Sequence, residues 1–412
     1  MLLLLFLVHI AKKANLAHAN ILELRADGVA CNDINDSRTL FDIIWGCLAT
    51  VFACTWVAVH QNVPPPDLGR LSLQLRKLKM MLFTVIAPEL VVCLAARQFF
   101  DARYIAKEFD VPKTHAFFCC MGGFITEDGH PTAEFEHLPG YIPAIRSIKE
   151  ADINDKSKGD ALSKGLAITQ GLWFTVQCLA RFHQGVPVIE IEVATLAFAV
   201  VSIFIRLFWW SKPLDVQQPI VVAGGARVLP SSDIRDFQVL AATTKRLPSL
   251  KDELRGATLW DYPEYRASSS TSVPMFYSIR LGSSGPTSLN MSVFAVEFIV
   301  GASFGAVHCV VWNATFPTIA EMWMWRLSSS FVAAYPLFLG GSLVLDHFLA
   351  RKLEHSTFKN LPYNVLKTMF LGGVPVYILC RLFLIVLPFT TLRALPTGAL
   401  VDVDWSVYIP HL

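Results

Sequence analysis

Four ionisable residues stand inside otherwise apolar stretches: Glu89, Glu297, His308 and Arg381. A charge held at the depth of a bilayer costs about 3 kcal/mol on insertion scales, so such residues mark a polar cavity, a proton relay or a pair joining helices. Asp346 and His347, and Glu190 and Glu192, fall at the ends of such stretches. A second pattern is the repeated string Asp33-Ile34-Asn35-Asp36 and Asp152-Ile153-Asn154-Asp155. Paired acids of this kind hold Mg²⁺ against a diphosphate, because a hard cation prefers carboxylate and phosphate oxygens. Asp33, Asp36, Asp152 and Asp155 are therefore a candidate Mg²⁺ site, set against the ordinary role of Asp and Asn in turns. His60, His115 and His347 do not pair with one another at helical spacing, and the nine cysteines contain no CxxC pair. They predict no structural metal site. Val222-Ala223-Gly224-Gly225-Ala226 lacks the Lys-Ser/Thr pair of a phosphate loop.

The elements that must position these residues follow from hydropathy. The chain has 412 residues, 53% hydrophobic and 17% charged, with a mean hydropathy of +0.46; soluble domains carry about 25% charged residues. Its 35 basic and 33 acidic residues leave a net +2. That excludes a nucleic-acid partner recognised by a dense basic face, and the apolar content excludes disorder. A bilayer core about 30 Å thick needs about 20 mostly apolar helical residues. Seven stretches approach that length: 43–59, 80–96, 165–180, 188–210, 291–312, 327–345 and 368–392. The expected fold is all-α: a polytopic helical membrane protein with about seven transmembrane helices (six to eight), since helices alone among open structures satisfy their own backbone in lipid. Gly301 and Gly305 form a small-xxx-small step suited to close helix packing.

Two long polar segments, 97–164 and 211–290, interrupt the pattern, and the serine and glycine of the second predict no core of its own. The N-terminal run Leu2–Ile10 with Ala17-His18-Ala19 predicts a cleaved signal peptide over 1–19, or else a short membrane-surface helix. The remainder, 20–412, reads as one integral membrane domain. Cleavage would make Asn35 luminal, and Asn35, Asn290 and Asn313 are glycosylation sequons. The next loop, with Arg70, Arg76, Lys77 and Lys79, is then cytosolic by the positive-inside rule. On a seven-span count, Arg351, Lys352, Lys359 and Lys367 fall on the wrong side. The chain is expected in the membranes of the secretory pathway or the plasma membrane.

Several strings carry a family resemblance. Arg38–Thr50 leads into Ala53-Cys54-Thr55-Trp56, His60 and Asn62-Val63-Pro64-Pro65-Pro66; later come His115–Phe124, Gly171-Leu172-Trp173 with Arg181, Glu192–Ala199, Trp209–Val216, Trp312-Asn313, Phe316-Pro317-Thr318 and Trp325–Ser329. Over roughly residues 31–345 the chain resembles a large group of multispanning fungal membrane proteins. The resemblance implies topology and no catalytic residue. Glu297 departs from that group's pattern, in which a small or neutral residue is expected. The acidic strings, separately, look similar to the Mg²⁺-binding motifs of intramembrane aromatic prenyltransferases, although the further acid of that pattern is replaced by Leu40.

Three readings of function result. The first is a non-enzymatic protein that binds, senses or moves a small ligand within the bilayer, through Glu89, Glu297 and His308. The second is a Mg²⁺-dependent membrane-embedded enzyme acting on lipid or isoprenoid substrates, of prenyltransferase or terpene-cyclase type, whose aromatic residues would stabilise cations. The third is a scaffold whose long loops recruit partners.

Overall fold

A computed structural model describes residues 38–66, 68–157, 161–224, 253, 256, 262, 265–279, 287–352 and 360–408. The expected leader and Asp33, Asn35 and Asp36 lie outside them. Among the described residues the long elements are helices: α1 (Leu40–Trp56), α2 (Arg70–Ile86), α3 (Pro88–Glu108), α4 (Lys113–Cys120), α5 (Ile142–Ser147), α6 (Glu150–Asp155), α7 (Ala161–His183), α8 (Glu190–Phe208), α9 (Thr287–His308), α10 (Ile319–Lys352) and α11 (Asn360–Thr391). Two short strands, β1 (Phe124–Ile125) and β2 (Ile220–Val221), pair in parallel, Phe124 opposite Ile220.

Among the described residues three helices are long and apolar enough to cross a membrane: Glu190–Phe208, Ser292–Val311 and Gly372–Ala394. A fourth span arises only if α2 and α3, bent by 110°, are taken as one. Seven spans are therefore not supported, and local chemistry explains each shortfall. The stretch 80–96 is cut at Ala87, whose φ −142°, ψ 68° is not helical; Pro88 forbids the α conformation before it and opens a new helix instead. The stretch 43–59 forms a helix of 17 residues. The stretch 165–180 lies in the 23-residue α7, whose Lys164, Gln170, Gln177 and Arg181 dilute its hydropathy. The stretch 327–345 is the middle of a 34-residue helix.

The helices pack through small residues. Added to Gly305, a Cβ would overlap the backbone of Val332 and Ala333 in α10, and on Gly301 it would lie 3.1 Å from Pro336 Cγ. The expected glycine step is thus the α9–α10 contact. Gly46, on α1, has nothing within 4 Å of such a Cβ. Gly305→Val is expected to lower stability by about 1–3 kcal/mol through overpacking, whereas Gly46→Ala raises it by up to about 1 kcal/mol through helix propensity. Thermal unfolding of both variants in one detergent reads the difference; equal midpoints would remove the close contact.

The two polar segments do not stand apart from this bundle. Phe117, Phe118, Phe124, Ile145 and Ile153 from the first share one core with Val273 and Phe276 from the second. Gly122, at φ +72°, faces Val273, where a Cβ would come within 2.8 Å of its Cγ1. The described apolar residues of the second segment pack onto the first.

At the other end, the C-terminal stretch is clasped to the start of α1. The Arg38 backbone N–H donates to Leu400 O (2.9 Å) and its Nε to Ala399 O (2.8 Å). Buried Arg181 donates to Val401 O (2.6 Å), Pro187 O (2.9 Å) and Ala399 O (3.2 Å). Glu192 accepts from Arg38 Nη1 at 2.5 Å and from the Ile189 N–H at 3.0 Å. Trp173 and Trp405 stack at 5.0 Å.

Candidate functional site

The four ionisable residues singled out by hydropathy come together. The break at Ala87 starts α3 at Pro88, so Glu89 occupies its first turn, where the helix dipole favours a carboxylate. Glu89 is 7% exposed and pairs with Arg381 Nη2 of α11 at 3.4 Å. Arg381 also donates Nε to Ile86 O at 3.0 Å. That carbonyl ends α2, and the break denies it the N–H four residues on, which turns to Ala87 O instead. The guanidinium stacks 3.6 Å above the Phe304 ring of α9. A single arginine thus joins both halves of the broken helix to two others.

Glu297 completes the group from α9. Its Oε2 accepts from the Cys93 thiol at 3.3 Å, one turn beyond Glu89, and it lies within electrostatic reach of Glu89. Gly301 brings α9 close enough for a Cβ there to sit 3.8 Å from Glu89 Cβ. His308 is 1% exposed, donates Nδ1–H to Phe304 O at 2.8 Å, packs on Trp325 and feels the Arg381 charge. Two buried donors in this cluster find no acceptor at hydrogen-bonding geometry, Arg381 Nη1 and the Tyr377 hydroxyl. The latter faces Glu89. Two carboxyl groups therefore lie within electrostatic reach of each other, one of them held by a guanidinium whose Nη1 is unused.

The other candidates are placed elsewhere. Asp152 and Asp155 are exposed on the six-residue α6, where Ile153 alone is buried. No group of three or more His, Cys, Asp or Glu side chains gathers among the described residues. Asn313 is exposed just past α9. Glu190 and Glu192, which a spacing of two puts on different helix faces, are both buried, Glu192 in the C-terminal clasp. The eight described cysteines are free, and six are buried as small apolar residues. Gly301-Ala302-Ser303-Phe304-Gly305 has the spacing of a hydrolase nucleophile elbow, but it lies within α9 and Ser303 Oγ donates to Ile299 O at 2.7 Å. An elbow needs a strand-to-helix turn.

A second polar centre escaped the sequence reading. Lys212, 1% exposed just beyond α8, donates to His60 O (2.5 Å), Gln98 Oε1 (2.8 Å) and Asn62 Oδ1 (3.3 Å), 4.4 Å above the Trp209 ring. Burial pushes its ammonium well below the usual lysine range; the three oxygens and the ring oppose that. Asn62, Trp209 and Lys212 all belong to the strings that carried the family resemblance. A lysine beside tryptophans at a helix end reads as an interfacial belt, and only the fold shows it turned inward.

The comparisons agree with those strings. Residues 25–117, 112–231 and 271–412 match the model of a family of unknown function, DUF8562. The chain belongs to that family. Its description carries no activity and so lends no role to any residue of the cluster. No curated protein and no solved structure matches the chain.

Proposed function

We propose that this member of the family is a multispanning integral membrane protein that binds, senses or moves a small ligand within the bilayer, at the cluster of Glu89, Glu297, His308 and Arg381. The observation that carries the reading is the 110° bend that sets the start of α3 against Arg381. Helices broken at depth, with a half-helix N-terminus aimed at a polar group, are how membrane proteins build sites for ions and small polar ligands. Large apolar side chains point outward from the bundle, among them Phe41, Trp45, Leu172, Leu207, Leu327 and Val386, as lipid contact requires.

The topology we infer has six crossings, by α1 and α7 to α11, with α2 and α3 entering and leaving on one face. Residues 38 and 400 share a backbone hydrogen bond, so an even number of crossings separates them. Lys77 of α2 meets both Trp56 at the end of α1 (4.8 Å) and Asp215 beyond α8 (2.6 Å), and Gln98 of α3 meets Trp209 at 2.9 Å. These contacts put the open end of the α2–α3 pair beside the C-terminal ends of α1 and α8. Both polar segments then share one face with Arg70, Arg76, Lys77, Lys79, Arg351, Lys352 and Lys367. That removes the conflict with the positive-inside rule left by seven spans, and makes this face cytosolic. It also sets Asp152 and Asp155 opposite the face that holds Arg38.

Two measurements test this. Single cysteines at Asp128 and Ser268 should react with an impermeant thiol reagent from the same side of sealed vesicles, and one at Asp402 from the other. Reaction of Asp128→Cys and Asp402→Cys from one side would sink the topology. A carbodiimide soluble in lipid should modify Glu89 or Glu297 where a water-soluble one does not; equal modification by both would take the cluster out of the bilayer.

A further inference from the structure

The ligand class follows from counting the charges that face Glu297, an argument that rests on the bilayer location proposed above. From α3 come Glu89 and Cys93; from α11, the Tyr377 hydroxyl; on its own helix, His308 lies about three turns away. Arg381 is committed to Glu89 and Ile86 O. Among the described residues Glu297 has no basic partner of its own, and Cys93 offers only a weak thiol donor. With Glu297 ionised, a second carboxylate would stand beside Glu89, whose guanidinium partner is already engaged, and its negative charge would be uncompensated. Such a charge is avoided by taking up a proton or a cation. A metal ion wants several donors, and no group of three or more His, Cys, Asp or Glu gathers here. A proton needs one.

We propose that Glu297 is a proton-binding site, neutral when the cluster is at rest. Release breaks only the carboxyl O–H bond, and the proton passes to water. Tyr377, within electrostatic reach of both Glu89 and Glu297, is the hydroxyl beside the two carboxyl groups.

Infrared difference spectra of the full chain in liposomes, acidic minus alkaline buffer, test the proposal. We expect a protonated-carboxyl band that shifts in D₂O, is lost in Glu297→Gln and is kept in Glu89→Gln. Glu297→Asp should move the band without abolishing it, which covers the case in which the glutamine variant does not fold. An unchanged band in Glu297→Gln, or no titrating band in the parent chain, overturns the proton site. Should that happen while the carbodiimide and cysteine patterns hold, the bilayer site stands without its proton; loss of those patterns removes both.

Discussion

Replacing Arg381 with leucine is expected to lower the stability of the folded chain by about 3–5 kcal/mol, the loss typical of stripping one partner from a buried ion pair. The side chain is 1% exposed and serves three elements at once: the Ile86 carbonyl, the Glu89 carboxylate and the Phe304 ring. Its removal leaves a buried carboxylate with no cation and a carbonyl at a helix end with no donor. The pair itself need not be stabilising, because two desolvated ions often do no better than apolar residues of the same volume. Adding Glu89→Gln to Arg381→Leu should therefore recover most of the loss, while Glu89→Gln alone costs less than Arg381→Leu. Unfolding of the four species of this cycle in mixed micelles gives the coupling directly. A loss below about 1 kcal/mol for Arg381→Leu, the range of an exposed pair, would mean that water already reaches Glu89 and that the cluster is not enclosed.

That this cluster was visible in advance, while its geometry was not, has a physical cause. A charge inside an apolar run is a local contradiction, so Glu89, Glu297, His308 and Arg381 stand out in any window that contains them. The stretches 188–210, 291–312 and 368–392 likewise state their helices through length and hydropathy alone, and each corresponds to a helix able to cross a membrane. The break between α2 and α3 was written in Ala87-Pro88-Glu89, a helix-start signal of proline and acid, but a window of about 20 residues averages across it. The six crossings with a returning pair proposed above and seven simple spans differ by that one turn. The clasp of Arg38, Arg181 and Glu192 on residues 399–401 joins positions as far apart in sequence as Arg38 and Leu400 and leaves no local trace. The shared core of the two polar segments is hidden for the same reason: neither segment holds enough apolar residues to declare a fold, and the pairing of Phe124 with Ile220 has no periodicity to announce it.

The largest effect outside the bilayer cluster should come from Gln98→Leu. Gln98 is fully buried and uses its whole amide: Oε1 accepts from Trp209 Nε1 (2.9 Å) and Lys212 Nζ (2.8 Å), and Nε2 donates to Asn62 Oδ1 (2.9 Å) and Tyr277 O (2.8 Å). Leucine fills similar space and removes all four bonds. Tyr277 O keeps a donor in Asn62 Nδ2 at 2.9 Å, but the indole N–H loses its acceptor and the buried ammonium keeps only His60 O and the longer contact to Asn62. A buried cation left short of partners is the costly case, and about 3–5 kcal/mol is expected. Lys212→Met should cost less, about 1–3 kcal/mol, since it strands neutral acceptors and removes the charge that needed them. The double variant should then lose less than the sum, because the ammonium that makes Gln98→Leu expensive is gone. The pH dependence separates this account from simple packing. Burial holds the folded-state pKa of Lys212 below its unfolded value, so in that interval the unfolded chain binds more protons. Stability must rise with pH until the ordinary lysine value near ~10.4 is passed. Lys212→Met should abolish that rise. Gln98→Leu should steepen or extend it, because an ammonium with one acceptor fewer gives up its proton at lower pH. If the parent chain itself shows no such rise, the oxygens around Lys212 already outweigh its desolvation and the residue stays charged in both states.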